Sequence, residues 1–222
     1  MLFVLTGSSG AGKTTLASLV AGRVGGLSVH DFDEVGVPAH ADLAWRHRTF
    51  ESWLSFDGDL LLSCQSPIGE VLASPSAVRL DGIAICLIDV ADDLRRSRLA
   101  ARFAYPPEQG DAFVGWAQWH REHAADPCYR PEVIREGCWP QMRWDRWADW
   151  TAADPRWHVD IVDTTPHTPV ESADMIVHWI SAQREAHAQG TLPLAAGWST
   201  PALAPRSEPA LADRRCGGGG RG

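Results

Sequence analysis

The chain of 222 residues sets 28 acidic against 20 basic side chains, and the formal net charge of −8 argues against a general nucleic-acid-binding surface, leaving only a local basic groove open. Its 45% apolar content suffices for the core of one α/β domain with an insertion or a tail. No apolar run approaches the ~20 residues that cross a membrane, and no signal-peptide pattern precedes the first strand. Cys64, Cys86, Cys128, Cys138 and Cys216 form neither a C-x-x-C pair nor a disulfide-like framework, so a soluble, cytoplasmic protein is expected.

Leu2 to Leu5 has strand character and Thr15 to Val24 helical character. Between them, Gly7-Ser8-Ser9-Gly10-Ala11-Gly12-Lys13-Thr14 matches the phosphate-binding pattern G-x-x-x-x-G-K-[ST] at every fixed position. The pattern requires this order of strand, glycine-rich turn and helix. Glycines allow backbone conformations that a Cβ forbids, so loop N–H groups converge on an anion at the positive end of a helix. Gly7, Ser8, Ser9, Gly10, Ala11, Gly12, Lys13, Thr14 and Thr15 are therefore expected to hold a nucleoside triphosphate. Lys13 would neutralise the outer phosphates, and the Thr14 hydroxyl would ligate Mg²⁺.

Gly25-Gly26 ends the helix, and Leu27 to His30 forms a second strand that runs into Asp31-Phe32-Asp33-Glu34. Acidic residues at a strand's carboxyl end lie where open α/β sheets bind ligands. Alternation along an extended segment sets Asp31 and Asp33 on one side. One carboxylate would serve Mg²⁺ through water while the other accepts a proton from a substrate hydroxyl; the competing reading is a solvated acidic turn that caps the next helix. Residues 39–57 have helical periodicity, with Arg46 and Arg48 either reaching a polar substrate or lying exposed. Gly58 to Cys64 reads as a buried parallel strand. Gln65 and Ser66 follow it as substrate contacts or as turn and cap residues. Asp59 opens this strand and no acid closes it.

Ile83 to Val90 is the clearest strand, and Ala91-Asp92-Asp93 starts the helix after it. Arg95, Arg98 and Arg102 fall at i, i+3 and i+7 on one face, opposite Leu94, Leu99 and Phe103; they form either a solvated, ion-paired face or a phosphate clamp. Residues 104–156 hold Trp116, Trp119, Trp139, Trp144, Trp147 and Trp150, with helices expected over 114–124 and 142–152. These tryptophans read as the core of a helical cap or as a stacking platform; His120, Arg121, Arg130 and Arg135 are this segment's offerings to a site. Trp157 to Thr165 is the last strand, where Thr164 and Thr165 would line a flat base, and Val170 to Ala186 is the last helix. After residue 187 the chain becomes rich in Ala, Pro, Ser and Gly, and disorder is expected over 188–222. No metal cluster at zinc spacing appears.

Five strands alternating with helices, with Gly7 to Thr14 after the first and the arginine helix after the fourth, resemble the small P-loop kinases: shikimate, gluconate, nucleoside and nucleotide kinases and chloramphenicol phosphotransferase. The resemblance covers residues 1 to about 183. It implies an α/β P-loop NTPase sandwich of three layers, a five-stranded parallel sheet flanked by helices, with the Trp-rich segment as a lid inserted in a domain over 1–187. Asp31-Phe32-Asp33 is similar to the D-x-D of shikimate kinase, which implies that Asp31 serves Mg²⁺ and the substrate while Asp33 binds and deprotonates the substrate hydroxyl. The helix carrying Arg98 and Arg102 is similar to the one leading into the kinase lid, and Val162 to Thr165 looks like the adenine-facing loop. Implied cofactors are ATP and Mg²⁺. The implied partner is a small-molecule acceptor contacted by Asp31, Asp33, Gln65, Ser66 and Arg121, with Lys13, Asp33, Arg98 and Arg102 as the catalytic set. A nucleotide-dependent switch and a polynucleotide-end kinase with a Trp116/Trp119 stacking lid are the alternatives.

Overall fold

A computed structural model describes residues 1–103 and 107–200. The strands are β1 (Leu2–Thr6), β2 (Leu27–Asp31), β3 (Asp59–Ser63), β4 (Ile83–Asp89) and β5 (Asp160–Asp163). They form one parallel sheet in the order β2-β3-β1-β4-β5. β1 therefore lies at the centre, with Val4 opposite Leu62 on one side and Ile85 on the other. A central parallel strand is covered on both faces and must be apolar on both. Leu2 and Val4 point into one core and Phe3 and Leu5 into the other.

The second of these cores lies under α1 (Lys13–Val20) and α7 (Pro169–Ala188), where Leu16, Val20, Ala173, Ile176 and Ile180 are buried. The first lies under α2 (Leu43–Trp53) and α3 (Ile68–Ala73), joined by Trp119, Trp147, Trp150, Trp157 and Trp198. Helices α4 (Asp92–Phe103) and α5 (Pro107–Ala125) follow β4, and the single turn α6 (Glu132–Arg135) follows them. No helix among the described residues is long and apolar enough to cross a membrane.

The Trp-rich segment differs from its expected form. Residues 142–152 contain only the short 3₁₀ turn Trp144–Arg146 rather than a helix. Tertiary hydrogen bonds hold this irregular backbone: the Arg146 guanidinium donates to the carbonyls of Leu72, Ser74 and Pro75 at 2.6–2.8 Å, and Trp147 Nε1 donates to Gly69 O at 3.0 Å. Trp147 is fully buried. The segment thus completes the layer over α3, and of the two readings of the tryptophans the core one holds. Residues 104–106 of the expected lid, and the side chain of Phe103, lie outside the described residues.

The chain also stays ordered past residue 187. Ile83 N donates to Leu194 O at 3.0 Å, Ala196 N donates to Asp81 O at 2.9 Å, and Leu192, Leu194 and Trp198 are buried. Three large apolar side chains within seven residues provide enough buried area to hold this stretch despite its Ala/Pro/Gly surroundings. Residues 201–222 of the expected tail, Cys216 among them, lie outside the described residues.

The Trp198 ring meets Trp150 edge-on at 6.0 Å, and its carbonyl accepts from Arg156. Trp198→Ala should cost about 3–5 kcal/mol of stability in urea unfolding. A loose tail would show no measurable change.

Candidate functional site

The site forms where β1 stops. Gly7 turns the chain at φ +135°, and a Cβ there would lie 2.5 Å from the Ile88 carbonyl oxygen, so only glycine lets the loop pass β4. Gly10 packs against Arg95 and Leu99, where an added Cβ would meet both side chains at 3.1 Å. Gly12, left-handed at φ 98°, starts α1, which has no side-chain cap and no acid in its first turn. The backbone N–H groups of Gly10, Ala11, Gly12, Lys13 and Thr14 find no acceptor among the described residues. An open helix start with converging donors fits the phosphates of a nucleotide.

Lys13 is buried, and its Nζ donates to Gly7 O at 2.7 Å and Ser8 O at 3.1 Å. Burial lowers its pKa to about 8, with Arg95 adding to the effect and Asp31 and Asp33 opposing it. A cation held this way is short of anionic partners until a phosphate arrives.

Beneath the loop lies the residue whose role the sequence reading missed. Arg95, expected on either a solvated, ion-paired face or a phosphate clamp, is wholly buried and ion-paired. Its guanidinium donates to Ser9 O at 2.8 Å and to Asp89 Oδ1 at 2.8 Å, tying the loop to the end of β4. Arg121 clasps the same carboxylate, Nε to Asp89 Oδ2 at 2.6 Å, and reaches Asp92 Oδ1 at 2.8 Å. Expected as a substrate contact, Arg121 instead braces Asp89 and does not line the cleft. The available signal was an aspartate at a strand's end followed by an arginine six residues on.

The cleft measures about 500 Å³. It brings together Ser9, Gly10, Ala11, Gly12, Lys13, Thr14 and Thr15 with Asp31, Asp33, Gln65, Ser66, Arg98, Arg102 and Thr164. Gly7 and Ser8 lie below its floor, and their carbonyls hold Lys13. Arg98 Nη1 donates to Gly10 O at 3.3 Å. Thr164 Oγ1 donates to Asp89 O at 2.9 Å, whereas Thr165 is not among the lining residues and instead accepts from Ala91 N at 2.8 Å. The lining also includes Arg46, for which a substrate contact is one of the two readings, and Phe32, Trp45, Ser63, Cys64 and His167, which single-residue patterns could not place.

Asp31 both caps a turn and lines the cleft. It caps the 3₁₀ turn Phe32–Val35, accepting from Asp33 N at 3.0 Å while Glu34 returns the bond to Asp31 N at 2.8 Å. Its other oxygen accepts from Ser63 Oγ at 3.0 Å, and the same carboxylate lines the cleft. β2 ends at Asp31, so the 3₁₀ turn, not strand alternation, delivers Asp33 to the cleft. Burial and then the neighbouring Asp31 raise the Asp33 pKa above its ordinary value, with Lys13 pulling the other way. No cluster of three or more His, Cys, Asp or Glu suited to a metal occurs among the described residues. Mg²⁺ would instead take Thr14 and Asp31 together with phosphate oxygens, a donor set of oxygens that suits it. Asp31 retains spare lone pairs for this after its two hydrogen bonds.

The depressed Lys13 pKa has a consequence for stability. The unfolded chain keeps this proton up to pH 10.5, while the folded protein releases it near pH 8. Wild type is thus penalised fully below pH 8, and the penalty fades as pH rises through that window. Without nucleotide, its stability relative to Lys13→Met should rise by on the order of 3 kcal/mol across the window, read by urea unfolding. A flat difference would contradict the burial of a charged Lys13.

A sugar kinase from Janibacter sp. HTCC2649 matches the structure with a TM-score of 0.50 at 14% identity, covering 81% of this chain and 94% of that one. Shikimate kinase from Acinetobacter baumannii (TM-score 0.48, 15% identity, 82% and 94% covered) and a gluconokinase from Sinorhizobium meliloti 1021 (0.47, 16%, 82% and 94%) are also similar. No protein-family model matches the chain, and no curated protein matches its sequence. At this identity the likeness to the sugar kinase is one of architecture: the chain has an α/β fold, a five-stranded parallel sheet flanked by helices.

Proposed function

We propose that this protein is an ATP- and Mg²⁺-dependent kinase that transfers the γ-phosphoryl group to a hydroxyl of a small-molecule acceptor. The observation that carries the reading is a single cleft in which a buried lysine on a glycine turn meets a carboxylate whose pKa is raised. Phosphoryl transfer asks a protein for positioning and charge neutralisation more than for covalent chemistry. In this reading Gly10, Gly12 and Lys13 cradle the phosphates, and Thr14 and Asp31 hold Mg²⁺, which spreads the charge of the phosphate oxygens.

Asp33 accepts the proton of the acceptor hydroxyl as its oxygen bonds to the γ-phosphorus and the bridge to ADP breaks. A raised pKa suits this role, because a base works best when its pKa approaches the operating pH. Arg98 and Arg102 approach the phosphates from α4. Thr164 stands on the base side, and Gln65 and Ser66 face the acceptor. Ser8 Oγ ties the phosphate-binding loop to α5 by donating to Phe113 O at 2.7 Å.

ADP release with and without a panel of hydroxylated acceptors tests the reading. Asp33→Ala should lower acceptor-dependent kcat by about 10²–10⁴-fold with little change in nucleotide affinity. In wild type the rate should fall as pH drops through a value above the ordinary aspartate pKa, and that limb should vanish in the variant. Acceptor-independent turnover that survives Asp33→Ala would leave a nucleotide-dependent switch in its place.

A further inference from the structure

The two walls of the cleft differ in charge. Lys13, Arg98 and Arg102 stand on the loop and α4 side, where the phosphates would lie. The facing wall, built from the 3₁₀ turn, the start of α2 and the end of β3, offers Asp31, Asp33 and a single guanidinium, Arg46. That guanidinium is already engaged. Arg46 Nε donates to Glu70 Oε2 at 3.1 Å, and Nη2 donates to Glu70 Oε1. Glu70 is 1% exposed and has His47 Nε2 beside it at 3.4 Å, so it cannot swing away into water. Arg46 also lies over Trp116 at 5.5 Å, which holds the pair in place.

From this arrangement we infer that the acceptor is an uncharged hydroxylated compound with an apolar face, and that the site selects against carboxylate-bearing acceptors. The inference rests on the kinase reading and narrows it. An acceptor carboxylate entering here would meet two carboxylates, Asp31 and Asp33, and one guanidinium that Glu70 matches from behind; a buried anion without a partner is costly, and like charges across an interface select against a ligand. Burial pushes the Cys64 thiol up to about 12 and the His120 imidazole well below its ordinary value, so both are neutral at pH 7.

What remains on this wall suits a neutral ligand. Phe32 and Trp45 meet edge to face at 5.6 Å, with Val37 half-exposed beside the same cleft. The Nη1 donors of Arg46, the Gln65 amide and the Ser66 hydroxyl, which is buried and unpartnered among the described residues, can bond hydroxyl or carbonyl oxygens.

Matched acceptor pairs test this: an aldose against its aldonate, and a cyclic polyol carboxamide against its carboxylate. Each pair is measured by ADP release and by equilibrium competition in the presence of a non-hydrolysable ATP analogue. The neutral member should be favoured at least about tenfold in kcat/KM and in affinity. Glu70→Gln, which uncovers Arg46, should shrink that preference by at least about tenfold. Equal or reversed preference in wild type, with turnover still dependent on Asp33, overturns the inference and leaves the kinase reading standing. ADP release that no acceptor stimulates and that Asp33→Ala leaves unchanged overturns both. The wild-type comparison decides alone if circular dichroism shows Glu70→Gln unfolded.

Discussion

One buried guanidinium underlies the geometry of the whole site. Arg95 joins the carbonyl of Ser9 in the phosphate-binding loop to the carboxylate of Asp89 at the end of β4. Asp89 is in turn clasped by Arg121 from α5, so loop, sheet and both following helices share one ionic junction. Both terminal nitrogens of this buried guanidinium find oxygens, Nη1 at Ser9 and Nη2 at Asp89, and removing either partner would strand charge in the interior. The open N–H groups of the loop are held in position from below by this junction, leaving their upper side to the nucleotide.

The cleft above that junction is polarised. Cations line the loop and α4, whereas the opposite wall carries Asp31 and Asp33 and cancels its own guanidinium with Glu70. A polarised cleft orients any charged ligand that enters it, and the low local dielectric makes each of these charges count for more than it would in water. The same burial depresses the Lys13 pKa and raises that of Asp33. Both shifts are signs of a site organised around charge that arrives with its ligand.

The tryptophans serve this arrangement indirectly. Trp147 donates to Gly69 O inside α3, and an added Cβ on Gly69 would approach His123, Ile134 and Trp147 at 2.7–2.9 Å. α3 carries Glu70, so the packing of the Trp-rich layer fixes the carboxylate that pairs with Arg46 at the cleft wall. Large aromatic surfaces with one polar handle each suit this task, since they fill volume and satisfy buried carbonyls together.

Much was legible in the residues alone. The glycine turn, Lys13 and Thr14, the five strands and the helices between them follow from local rules: glycine conformations, apolar runs and caps repeat in any chain that uses them. Asp31 and Asp33 could be assigned to a ligand-facing strand end for the same reason, although a 3₁₀ turn rather than strand alternation sets their direction. Arg95, Arg121, Arg46 and the tail were beyond such reading. Whether an arginine on a helix faces water, a phosphate or a buried carboxylate depends on what another segment brings to it: the Ser9 carbonyl comes to Arg95, Asp89 to Arg121 and Glu70 to Arg46 from distant parts of the chain. Residues 189–200 looked disordered because low complexity says nothing about a groove waiting beside β4. Local conformation is decided by neighbours in sequence; the fate of a buried charge is decided only by neighbours in space.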